Sequence, residues 1–163
     1  MSGLEGVAPL VVGLTWEEMS VGRRFRTGSR TITEADLVGF VTSMGFTESL
    51  FLDARHAAEN GYAGRLVPAA LTYCVAEGLT LQTNVLHGTG VAFLRMELDV
   101  KAPVFVGDTI TCLVEITESR PTSRPGRGLV TTANTVFNEG GDEVLVYTPM
   151  RLVRGRDSSP EHA

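Results

Sequence analysis

The sequence predicts an α+β fold: one antiparallel sheet curling around a single long buried helix. Three observations lead there. Residues 67–81 form a segment that is apolar nearly all round a helical wheel, with Glu77 its only charge, and such a helix has to be wrapped by other structure. The second half of the chain switches to a period of two, and no helical segment separates its strands, which disfavours a parallel sheet. Composition agrees: 163 residues, 43% hydrophobic and 20% charged, describe one ordinary domain with a sizeable core.

Element by element, residues 1–14 read as an extended arm, 15–154 as the domain and 155–163 as a polar, mobile tail. Arg24–Thr31 is a short strand candidate. Thr33 opens a helix, with Asp36 three residues on as a short version of the capping-box acid. Leu37, Phe40, Val41 and Met44 recur at helical spacing, and Gly45 stops the run. Residues 46–52 read as a loop, and 54–60 as a short helix with Asp53 as its N-cap. Pro68 fits the first turn of the long helix, where a missing N–H costs nothing. Ala92, Leu94, Met96, Leu98 and Val100 alternate with their neighbours, and so do Ile110, Cys112, Val114 and Ile116. Residues 129–137 and 143–153 complete a four-strand meander, with turns at 106–108 and 138–142. Pro149 implies that the last strand is interrupted or lies near an edge.

Several classes of function are excluded at this level. Net charge is −5 and no long basic run exists, so binding to nucleic acid through phosphate neutralisation is disfavoured. The apolar stretch 7–14 is far shorter than the roughly 18–20 residues of a membrane span. Glu5 and the lack of Lys or Arg make it a poor secretory signal. Cys74 and Cys112 lack metal-ligand spacing and read as reduced core residues of a cytoplasmic protein, with no metal site expected.

The ordered fragments Trp16-Glu17-Glu18, Thr31–Asp36, Phe51-Leu52-Asp53, Gly64–Val67, Ala102-Pro103-Val104, Val106-Gly107-Asp108 and Ser123–Gly128 together resemble the MaoC-like (R)-specific enoyl-CoA hydratase/dehydratase family. The resemblance spans nearly all of residues 16–154. It implies the hotdog fold, a homodimer with sites at the subunit interface, and an acyl-thioester substrate. Coenzyme A or a carrier-protein phosphopantetheine would then be part of that substrate, with no separate cofactor. The activity implied is a lyase adding or removing water across C2–C3. The family's Asp and His, in a G-D-x-N-P-x-H pattern, fall here on Phe46 and Phe51, neither of which moves a proton. Glu48, between them, becomes the candidate acid/base, against the reading of a solvated loop carboxylate. Ala69 matches the glycine whose N–H meets the thioester oxygen. Phe46, Phe51 and Tyr62 line an acyl channel or belong to the core. Arg124 and Arg127, with Arg120, are candidate phosphate contacts or a solvated turn. His56, His87 and His162 read as surface or tail residues. Two alternatives stand beside the enzyme: a non-catalytic hotdog subunit supporting a catalytic partner, and a thioesterase.

Overall fold

The computed structural model describes residues 7–157. One five-stranded antiparallel sheet is formed by β1 (Arg24–Thr31), β2 (Gly90–Val100), β3 (Thr109–Pro121), β4 (Arg127–Phe137) and β5 (Glu143–Arg154), in the order β1-β3-β4-β5-β2. The helices are α1 (Glu34–Met44), α2 (Ser49–Leu52), α3 (Ala54–Glu59) and α4 (Ala69–Gln82), preceded by a 3₁₀ turn at Trp16–Glu18. α4 lies against the sheet through Leu71, Thr72, Val75, Ala76, Leu79 and Thr80, all buried. These residues recur at i, i+4 and i+8, the spacing of a single helix face. They meet Ile110, Val114, Val136, Val144 and Tyr147 from the strands, and Leu37 and Val41 from α1. Truncating a core leucine such as Leu71 or Leu79 to alanine costs about 2–5 kcal/mol in such a setting.

The local signals for α1 are realised. Thr33 accepts from the Asp36 N–H at 3.3 Å, and the Asp36 carboxylate accepts from the Thr33 N–H at 2.8 Å. The bonds that the Asp36 carboxylate accepts from the Thr33 N–H and hydroxyl hold it below its ordinary pKa. Gly45 closes the helix at φ 73°, ψ 26°. In β1 the register shifts between Arg26 and Ser29, and the Thr27 hydroxyl occupies the irregularity by accepting from the Cys112 N–H at 3.0 Å.

Several expectations change. Pro68 is the N-cap of α4 rather than part of its first turn, with φ −54° and ψ 136°. Residues 49–52 close one helical turn, α2, inside the expected loop. β3, β4 and β5 form the meander, but β2 pairs with β5 at the far edge instead of with β3. Pro149 therefore sits in an interior strand. It interrupts the β4–β5 ladder, which runs from Thr131↔Met150 to Asn134↔Tyr147 with no pair between them. Cys74 is exposed, while Cys112 is buried. α4 is covered on one side only, since Cys74 and Leu81 face outward. Gly155 is tied down rather than mobile: its N–H donates to the Gly126 carbonyl at 2.7 Å. Likewise Gly13 and Leu14 of the arm donate to the carbonyls of His87 and Val85 at 2.7 and 2.9 Å. The rest of the tail from Ser158, and residues 1–6 of the arm, lie outside the described residues. Among the described residues no helix is long and apolar enough to cross a membrane.

Candidate functional site

The start of α4 is built by two crossing segments. Residues 65–67 run antiparallel to 104–106. Val67 N–H donates to Val104 at 2.8 Å, Val106 N–H donates to Arg65 at 3.0 Å, and Leu66 bridges Phe105. Asp108 fixes the return loop by accepting from the Phe105 N–H at 2.8 Å. The chain then turns at Pro68, which has no side-chain acceptor to cap the helix. The Leu71 and Thr72 N–H groups find the Pro68 carbonyl at 2.9 and 3.1 Å. Among the described residues, no acceptor meets the N–H of Ala69 or Ala70. Two unpaired donors at the positive end of a helix dipole form a place for a partly negative oxygen.

A cavity of about 310 Å³ opens beside the first of them, Ala69. Ala69 and Thr72 form its helix side, Phe51, Tyr62 and Leu66 one wall, and residues 100–104 the other. Val144 and Leu145 of β5 complete it. The lining is mostly apolar, as small-molecule sites are.

The structure gathers only some of the candidate residues. Ala69, Phe51 and Tyr62 share the cavity. Phe46 does not line it; its ring packs on Phe40 at 5.0 Å and lies 6.4 Å from Phe51, and it is 37% exposed. Glu48 is exposed at the N-cap of α2, makes no side-chain capping bond and is not part of the lining. Its carbonyl accepts from the Phe51 N–H at 3.0 Å, so it shares a segment with the cavity wall. Arg124 and Arg127 sit at the β3–β4 hairpin. Val136, which pairs with the cavity residue Leu145, lies nine positions along β4 from Arg127. At strand rise that is about 30 Å. Arg120 pairs with Glu118 at 2.6 Å. Asp53 caps α3 by accepting from the Arg55 N–H at 2.9 Å, and Arg55's hydrogen bonds hold its carboxyl at about 2. His56 and His87 are exposed, and His162 lies outside the described residues.

Two cations near the site were not singled out from sequence. Lys101 lines the cavity, its ammonium 3.5 Å from the Asp99 carboxylate. Arg65 stands behind the wall and binds the Phe51 carbonyl at 3.1 Å and Glu34 at 3.0 Å. Both lie in fragments already quoted or next to them; the missing signal was spatial. Among the lining residues only Tyr62 and Lys101 titrate, and no carboxylate or imidazole is present. No cluster of metal-ligating side chains occurs among the described residues. A separate polar group under the middle of α4 is structural: Arg151 grips both Glu77 oxygens at 2.6 and 2.8 Å, and the Tyr147 hydroxyl donates to Glu77 at 3.1 Å.

One five-stranded antiparallel sheet laid against a long central helix, with a ligand-sized cavity at the helix start, is the hotdog arrangement. The chain belongs to the MaoC-like hotdog family: residues 19–147 match the model of the FAS1-like dehydratase domain region. It is 30% identical over 125 residues to the (R)-specific enoyl-CoA hydratase of Aeromonas caviae, covering 77% of this chain and 88% of that one. It is 29% identical over 133 residues to the 3-hydroxybutyryl-CoA dehydratase of Methylorubrum extorquens, covering 82% and 79%. Among solved structures, a MaoC-like dehydratase from Rhodospirillum rubrum superposes with a TM-score of 0.81 at 23% identity, covering 90% of this chain and all of that one.

Proposed function

We propose that the protein takes an acyl-CoA-like thioester in the cavity at the start of α4 and acts on it as a hydratase/dehydratase. The carrying observation is the unpartnered N–H of Ala69, a residue that lines an apolar cavity at the helix start. In this reading the thioester oxygen accepts from the Ala69 N–H, and the acyl chain lies along Phe51, Leu66 and Leu145. The helix start stabilises negative charge growing on that oxygen, which makes C3 of an enoyl chain electrophilic and C2 basic. Water then adds at C3 while C2 gains a proton, or the reverse. Glu48, three residues before Phe51, is the proposed acid/base; reaching the reacting atoms requires its segment to shift.

A second reading, a non-catalytic subunit that binds acyl chains beside a catalytic partner, is favoured by one observation. No carboxylate or imidazole lines the cavity. One experiment separates the readings: incubation of the protein with a panel of enoyl-CoA thioesters, followed by mass spectrometry. Gain of water supports the hydratase, and its loss in Glu48→Gln supports Glu48. Binding without turnover supports the subunit, and release of the acyl group supports a thioesterase.

The same reading includes a homodimer. β2 is an edge strand, and Val91, Phe93 and Leu94 on it, with Leu81 of α4, are 39–51% exposed. A second copy covering that face removes both an apolar patch and an open sheet edge. Sedimentation as a monomer at micromolar concentration would contradict it.

A further inference from the structure

Phe51 walls the cavity from a segment that is fastened to the body at few points, and Tyr62 stands just past that segment's end. The segment begins after Gly45, at φ 73°, and ends before Gly61, at φ 83°. A Cβ on either glycine would meet nothing within 4 Å, so neither is glycine for want of space. Each instead supplies a left-handed backbone conformation where the chain bends. Between them, α2 and α3 bury one residue, Ala57, at 1% exposure. The rings of Phe46 and Phe51 add contacts to Phe40 and to the core. At its start the Phe46 N–H donates to the Val41 carbonyl of α1 at 3.0 Å, beside the Gly45 bend, and the remaining hydrogen bonds of residues 47–60 are made within the segment or to the residues next to it, with one exception. Past that first residue, one bond reaches the segment from outside, among the described residues: Arg65 Nη2 donates to the Phe51 carbonyl at 3.1 Å. The other terminal nitrogen of Arg65 binds Glu34 Oε1 of α1 at 3.0 Å, and its Nε is buried without a partner. The guanidinium therefore bridges the segment and the body, at the residue whose ring closes the cavity.

We propose that residues 46–60 are a lid hinged at Gly45 and Gly61, that Arg65 is the positioning residue latching it, and that an acyl-thioester ligand enters beneath it. The identity of the ligand rests on the function proposed above; the hinge and the latch do not. Segments with little buried apolar surface and few ties to the body open at low free energy. Opening carries the Phe51 ring and its wall away from Ala69, and closing returns Phe51 to the cavity.

Hydrogen exchange on the full chain tests this. The reporters are the amides of Phe51, Asp53, Ala57 and Asn60, bonded to acceptors inside the lid; helices of four and six residues do not hold such bonds once released from the body, so their exchange reports opening, with β4 amides as the global reference. In the wild type the lid amides exchange faster than those of β4. Arg65→Met removes the latch and accelerates lid exchange about tenfold or more, as expected for a lost charge-assisted hydrogen bond, with β4 unchanged relative to global stability. Glu34→Gln weakens only the anchor and gives a smaller, equally selective increase. Butyryl-CoA slows lid exchange in the wild type. Lid amides as slow as β4, or no selective change in either variant, would overturn the lid. Selective loosening in Arg65→Met with no protection by butyryl-CoA would leave the hinge standing and overturn the thioester reading.

Discussion

Replacing Gly128 by alanine tests how the N-terminal turn is fastened to the sheet. Trp16, the only tryptophan, lies flat on the backbone of β4 at Gly128. A Cβ built there would stand 2.2 Å from Trp16 Cγ, 2.4 Å from Cδ2 and 2.7 Å from Cβ. That is roughly 1 Å inside ordinary contact, against the root of the side chain and not its tip. The ring has no room to slide the other way, because a Cβ at Gly155 would already be 2.8 Å from its Nε1. Its backbone is held as well, since the Trp16 carbonyl accepts from the Ser119 hydroxyl at 2.8 Å and from the Met19 N–H at 3.2 Å. Gly128→Ala therefore expels the indole and loosens the cluster of Met19, Ile116, Val130 and Val153. Expelling a fully buried Trp costs about 3–5 kcal/mol; with a half-buried ring we expect about 2–3 kcal/mol, or a Tm lower by roughly 5–10 °C for a domain of this size. Urea unfolding followed by Trp16 fluorescence measures it directly, and the native emission should shift to the red. In a Trp16→Ala background, with unfolding followed by far-UV circular dichroism, the same substitution should cost less than about 0.5 kcal/mol. A loss below 1 kcal/mol with unchanged emission would refute the packing argument.

Three further outcomes follow from other parts of the molecule. Cys74 is exposed, whereas burial pushes the Cys112 thiol up to about 11; a thiol reagent should titrate one equivalent in the native protein and a second only after unfolding, and two fast equivalents would contradict this. Glu77→Ala leaves Arg151 charged and 8% exposed. Chemical denaturation should show a loss of about 3 kcal/mol or more, which Glu77→Leu with Arg151→Met should largely restore; a loss near zero would make the pair incidental. The Asp53 carboxyl is held at about 2 against an ordinary 3.8. Because its folded value is depressed, its charge-dependent contribution is present above 3.8 and is lost as the pH falls through about 2. The wild type should unfold later than Asp53→Asn near neutrality and converge with it below pH 2, and a constant difference across that window would exclude the linkage.

Local chemistry was readable residue by residue. Thr33, Asp36 and Gly45 bound α1 because capping is decided within four residues, and the alternation in β3 to β5 marks their buried face, whereas the alternation read in β2 does not: that edge strand is exposed on both faces except at Met96 and Leu98. The strand order was hidden because pairing is non-local: nothing between Val100 and Thr109 says that the chain crosses to the far side of β4 and β5. The even apolar coating of α4 concealed its outward face, so Cys74 read as core. A single turn such as α2 is too short for periodicity to register. At the site, Ala69 and Phe51 were found through a motif resemblance, and the cavity joins them. Lys101 and Arg65 escaped because their meaning depends on what stands opposite, Asp99 and the Phe51 carbonyl, and neither pairing is written in the spacing. Glu48 was chosen by adjacency in sequence, and the structure places it outside the cavity lining.

The central claim is that the free N–H at the start of α4 holds a thioester oxygen, and Ala69→Pro addresses it alone. Ala69 is the first residue of α4, where proline is favoured, and Pro68 already has the extended backbone that a following proline requires. The substitution therefore deletes one N–H while leaving the helix able to form. The measurement is calorimetric titration of butyryl-CoA into wild type and variant, with unfolding curves of both. Stability should stay within about 1 kcal/mol while affinity in the variant weakens tenfold or more. Equal affinity in both, or no binding by the wild type, would contradict it.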